Sequence, residues 1–133
     1  MVDLDLIRRA LAEDLAGGQD ITSVATVSGN ESVVADFVAR KAGVIAGVGM
    51  AEATLREVGV TDIQVHLKDG DAVKAGSVVM TVRGDTRAIL LAERTALNFL
   101  GHLGGIATLT RTWVEAVAGT NCIIRDTRKT TPG

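Results

Sequence analysis

Aromatic side chains are almost missing from these 133 residues: they make up 2% of the chain, with two Phe, one Trp and no Tyr. A core built nearly without them must be aliphatic, from Val, Leu, Ile and Ala. A single cysteine, Cys122, excludes an internal disulfide. Its setting in Cys122-Ile123-Ile124 reads as a small buried strand residue rather than an activated thiol. One proline stands against fifteen glycines, which implies many tight turns or close backbone contacts. Long apolar runs are lacking too. Gly43 to Ala51 and Ala88 to Ala92 are far too short to span a bilayer. Charges crowd the first turns (Asp3, Asp5, Arg8, Arg9), which no secretory leader tolerates, so a cytoplasmic protein is expected. No excess charge of one sign exists: the net charge is −2, which favours neither nucleic acid nor an anionic membrane.

What is present is patterned. Leu4, Ile7, Leu11 and Leu15 form a helical stripe over residues 3–16, which Gly17-Gly18 ends. Residues 19–23 read as a turn in which Asp20 bonds local backbone. Residues 32–40 alternate as a half-buried strand. A short apolar strand is predicted over 43–47, and a helix from Met50 to Val58 with Met50, Ala53, Leu55 and Val58 inward. Strands at 63–67 and 78–82 flank the turn signals Asp69-Gly70-Asp71 and Gly76. Asp85 caps a helix from Thr86 to about Leu100 that is apolar nearly all round, and so buried between layers or subunits. Gly104-Gly105 separates it from a second helix, which Gly119 caps. A last strand spans Ile123 to Asp126.

Two places carry chemistry. Arg125-Asp126-Thr127-Arg128-Lys129-Thr130 sets three cations and several hydroxyls behind an apolar strand. Guanidinium donors match a carboxylate or phosphate, so this is either an anion site or a solvated charged tail. Arg94 lies in the apolar helix beside Glu93. Neighbours on a helix point about 100° apart, so Arg94 needs a partner from elsewhere: a structural carboxylate, a subunit interface or a substrate. His102 reads as a helix-end residue donating to the last carbonyls, and His66 as a surface residue. No Cys or His cluster has metal-ligand spacing.

Together these segments resemble the quinolinate phosphoribosyltransferase family. The matching stretches are Ala12-Glu13-Asp14-Leu15, Asp20-Ile21-Thr22, residues 40–47 (RKAGVIAG) and Asp69-Gly70-Asp71. Residues 92–100 (AERTALNFL) match more strongly, followed by His102-Leu103 and residues 105–108 (GIAT). The match is strongest in residues 125–130 with Pro132-Gly133 after them. Position 104 is Gly, where the family usually carries a small hydroxyl residue.

The resemblance implies an α+β fold: an N-terminal α/β sandwich with linking helices over residues 1–118, then the start of an α/β barrel over 119–133. It implies phosphoribosyl transfer from phosphoribosyl pyrophosphate to quinolinate, with decarboxylation, in NAD biosynthesis. It also implies Mg2+, with ligands beyond this chain, and a head-to-tail homodimer. By the same resemblance Arg94 reaches quinolinate in the partner subunit. Thr127, Arg128 and Lys129 line the pocket of their own subunit, with Lys129 as the catalytic cation. Family members continue through most of a barrel, so this chain alone is expected to be an inactive part. A nicotinate-type or molybdenum-transport-linked relative is the nearest competing reading. A carrier-like domain is a further one, because the Gly70–Gly84 hairpin resembles biotinyl or lipoyl carriers; Lys74 lies in the wrong context for it. A purely structural dimerisation domain completes the set.

Overall fold

The computed structural model describes residues 2–127, 129 and 130. Four helices and five strands follow one another as α1 (Leu4–Asp14), α2 (Ile21–Thr26), β1 (Ser32–Val38), β2 (Gly43–Val44), α3 (Val48–Glu57), β3 (Asp62–Val65), β4 (Ala72–Val73), β5 (Val78–Asp85) and α4 (Thr86–Ala116). The fold is the expected α+β sandwich. A small antiparallel sheet of order β1-β5-β3 packs on helices, and β2 and β4 form a second, two-stranded ladder.

Alternation drives the sheet. Ala35 opposes Val82 and Phe37 opposes Met80 across β1 and β5, while Asp36 and Thr81 share the outer face. Phe37, Met80 and Val82 meet Leu55 of α3 and Ile89, Ala92, Ala96 and Leu100 of α4 in one core. As the composition requires, its bulk is aliphatic. Helix α1 is pinned at its start by Asp3, whose carboxylate accepts the Leu6 N–H at 3.0 Å, and packs Ile7 and Leu11 inward. Arg8 ties it to α3 through Glu57 at 2.6 Å.

Several predicted boundaries move. Residues 19–23 are not an open turn: Asp20 caps a short helix, α2, because its carboxylate accepts the Ser23 N–H at 3.0 Å. Helix α3 starts at Val48 and buries Val48, Ala51, Thr54 and Leu55, whereas Met50 and Ala53 are only half-buried. Gly47 sets that start. Its φ of 93° turns the chain, and its N-cap position leaves the Asp69 carboxylate to accept the Val48 N–H at 2.9 Å.

The largest difference is α4. The predicted break at Gly104-Gly105 does not occur, and 31 residues run as one helix. The glycine serves close approach instead of termination: a Cβ on Gly104 would stand 3.4 Å from the Val44 carbonyl oxygen. Thr108, one turn on, accepts the Val44 N–H at 2.9 Å and donates to the Gly104 carbonyl at 2.7 Å. These contacts with β2 hold the helix together where propensity alone would weaken it.

Residues 122–127 form no strand among the described residues, since a strand exists only beside a hydrogen-bonded partner. Cys122 is accordingly exposed rather than buried. No helix among the described residues is long and apolar enough to cross a membrane.

Candidate functional site

Helix α4 has two faces. Ile89, Ala92, Ala96 and Leu100 point into the core. Glu93 and Arg94 lie outside that stripe and are exposed, so the expected burial of the pair is corrected. The helix is apolar on most sides, yet Leu90 and Leu97 on one face and Ile106, Leu109 and Trp113 on another are exposed. Burial is therefore one-sided in the first half and largely lost after Thr108.

Arg94 projects towards the end of α1. Its Nε stands 3.5 Å from Asp14 Oδ1, with the Arg94 side chain 76% exposed and the Asp14 side chain 27%. Of the partners open to Arg94 from sequence, a carboxylate of its own chain is therefore present. Among the described residues no hydrogen bond or ion pair engages its two terminal nitrogens. The cleft around it has a volume of about 210 Å³ and is bounded by Asp14, Gln19, Asp20, Leu90 and Arg94.

Asp20 belongs to the same cleft but is committed elsewhere. Both its carboxylate oxygens accept from Ser23, one from the backbone N–H and one from the hydroxyl. These bonds from Ser23, with a smaller contribution from the nearby Arg94 charge, hold the Asp20 carboxyl below the ordinary aspartate value. The cleft thus sets two carboxylates against one guanidinium. Sequence reasoning missed Asp14 and Asp20 as neighbours of Arg94. One signal was available: Asp14 is an acid at the C-terminal end of a helix, where the helix dipole disfavours it.

The other predicted site residues lie apart. Lys129 donates its backbone N–H to the Thr127 hydroxyl at 3.1 Å, a local turn that leaves both side chains exposed. Arg128 lies outside the described residues. No hydrogen bond or ion pair among the described residues joins Arg94 to Thr127 or Lys129.

The histidines carry no site. His102 is exposed within α4 and not at its end, because the helix runs on past it. His66 is exposed as expected, with Nε2 2.9 Å from the Thr81 hydroxyl, which itself donates to Asp36 at 2.6 Å. The Thr81 proton is directed at Asp36, so His66 is not placed as a base for it. Among the described residues no group of three or more His, Cys, Asp or Glu side chains is arranged to hold a metal ion.

A family model described as "Quinolinate phosphoribosyl transferase, N-terminal domain" matches residues 20–104. The chain is 50% identical over 132 residues to the nicotinate-nucleotide pyrophosphorylase (carboxylating) of Mycobacterium leprae, covering 97% of this chain and 46% of that protein. It is 43% identical to the probable nicotinate-nucleotide pyrophosphorylase (carboxylating) of Methanothermobacter thermautotrophicus, covering 98% and 47%. Among solved structures, the nicotinate-nucleotide pyrophosphorylase of Ehrlichia chaffeensis superposes with a TM-score of 0.91 at 34% identity, over 100% of this chain and 48% of that one. The NadC structure from Streptococcus pyogenes gives 0.89 at 36% identity, over 96% and 46%. The chain spans about half the length of each of these relatives.

Proposed function

Since the chain belongs to the quinolinate phosphoribosyltransferase family, we propose that the full-length protein joins quinolinate to phosphoribosyl pyrophosphate, releasing pyrophosphate and CO2 and leaving nicotinate mononucleotide. The observation that carries this reading is the state of Arg94: an exposed guanidinium, two nitrogens unengaged among the described residues, on a helix that also exposes large apolar side chains. A cation displayed in this way suits a ligand that is completed by another subunit.

The chemistry asks for such cations. Quinolinate carries two adjacent carboxylates, and guanidinium forks present paired donors to each. In the proposed head-to-tail homodimer, Arg94 enters the pocket of the partner subunit. There it faces the set formed by Thr127, Arg128 and Lys129. Holding the ring from two sides turns a bimolecular encounter into an oriented one. The ring nitrogen then bonds to the sugar carbon as that carbon's bond to the diphosphate oxygen breaks. Lys129 supplies positive charge at the carboxylates. Loss of CO2 from the carbon beside nitrogen leaves its electron pair next to the pyridinium charge, and a proton replaces it. Mg2+ belongs to the proposal as the counter-ion of the departing diphosphate, with its ligands expected outside this chain.

Steady-state kinetics of full-length Arg94→Ala test the reading. The Michaelis constant for quinolinate is expected to rise by about tenfold or more, as for a lost charged hydrogen bond of roughly 1.5–3 kcal/mol. Unchanged kinetics remove Arg94 from the site.

A further inference from the structure

Asp14 is an acid in a poor place. It is the last residue of α1, and the final turn of that helix carries no basic residue to offset the dipole. Among the described residues its carboxylate accepts no hydrogen bond, and its one ion-pair partner is Arg94. Asp14 is exposed as a residue, but its side chain keeps only 27% of its accessible surface where α1 packs against α4. A group that α1 does not favour, and that bonds nothing in α1, has its purpose at Arg94.

The direction of approach defines that purpose. Asp14 meets Arg94 at Nε, the nitrogen on the side of the stem, at 3.5 Å. Among the described residues the two terminal nitrogens have no hydrogen-bond or ion-pair partner. Asp20, the other acid of the cleft, is occupied with Ser23 at the start of α2 and does not compete for the fork. The cleft therefore has one carboxylate that holds the guanidinium by its edge and one that is already bonded.

We infer that Asp14 is a positioning residue for the dicarboxylate substrate: it buttresses the Nε edge of Arg94 and so presents the terminal nitrogens of that guanidinium to a carboxylate of the ligand. The inference rests on the proposed function, since it needs Arg94 to meet quinolinate. Removing Asp14 has two opposite effects on an anionic ligand. It takes away a like charge, which favours binding, and it releases a long side chain to sample its rotamers, which opposes binding. The Arg94 side chain is 76% exposed, so solvent screens the first effect strongly. Solvent also weakens the second, because the pair that orders Arg94 is exposed on the arginine side, so the net effect is a modest weakening of binding.

The test is a double-mutant cycle in the full-length protein, with Asp14→Asn, Arg94→Ala and the combination. Asp14→Asn is expected to raise the Michaelis constant for quinolinate about two- to fivefold, the scale of an exposed ion pair. Turnover at saturation, the Michaelis constant for phosphoribosyl pyrophosphate and the melting temperature should stay close to those of the parent. A merely structural role would move the melting temperature and both substrates together. Asp14→Glu should recover part of the loss. In the Arg94→Ala background Asp14→Asn should change nothing further. An unchanged or lower Michaelis constant in Asp14→Asn overturns the inference, as does an equal loss in the Arg94→Ala background. Those outcomes leave the proposed function standing if Arg94→Ala alone is impaired. If Arg94→Ala alone is kinetically silent, both readings fall.

Discussion

At the scale of single residues, Asp20 shows how local bonds set a site. Its carboxylate starts α2 and borders the cleft of Arg94 at once. Because Ser23 and Arg94 favour its charged form, its folded pKa lies below the unfolded value of about 3.9. A depressed carboxyl contributes stability above the unfolded pKa and loses it as pH falls through the folded one. Asp20→Asn keeps a capping oxygen but cannot titrate. Acid unfolding followed by circular dichroism should therefore show a shallower acid limb for this variant than for the parent. Asp20→Ala should lower stability at neutral pH, because the start of α2 loses its cap. The carboxylates beside Arg94 were not legible beforehand. Asp14 and Asp20 are far from residue 94 in sequence, and only the packing of α1 and α2 on α4 brings them there. Arg94 itself was legible, because a charge in so apolar a helix demands an explanation.

At the scale of elements, the contacts of α4 with its neighbours explain both what was read correctly and what was not. The alternation in β1 and the stripe in α1 come from periods of two and about 3.6, which the sequence displays directly. The helix through Gly104-Gly105 depends on a long-range contact, the fit of β2 against Thr108, and no local pattern announces that. Glycines in this chain consequently divide into two kinds. Gly47 has φ 93°, and a Cβ there would meet Leu103 Cδ1 at 2.9 Å and the Phe99 carbonyl oxygen at 3.1 Å. Gly105 has nothing within 4 Å of the same position. Gly47→Ala should destabilise by about 2–3 kcal/mol, from left-handed strain plus the clash with α4. Gly105→Ala should stabilise by up to about 1 kcal/mol through helix propensity. Chemical denaturation of the two variants separates these signs. The segment 122–127 is unpaired among the described residues for a related reason: Ile123 has strand character, but pairing is a property of two segments.

At the scale of the whole molecule, the sandwich is closed on one side and open on the other. The core of β1, β5, α3 and α4 is aliphatic and buried. Leu97, Ile106, Leu109 and Trp113 of α4 are exposed instead. Arg94 sits on the same helix, exposed and within ion-pair range of Asp14 at the end of α1. Exposed apolar side chains on the helix that carries this cation fit the proposal that Arg94 completes a partner's site. The proposed division of labour puts Arg94 on one subunit and Arg128 with Lys129 on the other. Subunit complementation measures this directly. Full-length Arg94→Ala and Lys129→Ala proteins, each crippled alone, are unfolded, mixed and refolded together, and quinolinate turnover is assayed. Mixed dimers hold one site with both cations intact, so activity should return well above that of either variant refolded by itself. If mixing restores nothing while mixed dimers demonstrably form, the site does not draw Arg94 and Lys129 from different subunits, and the account is wrong.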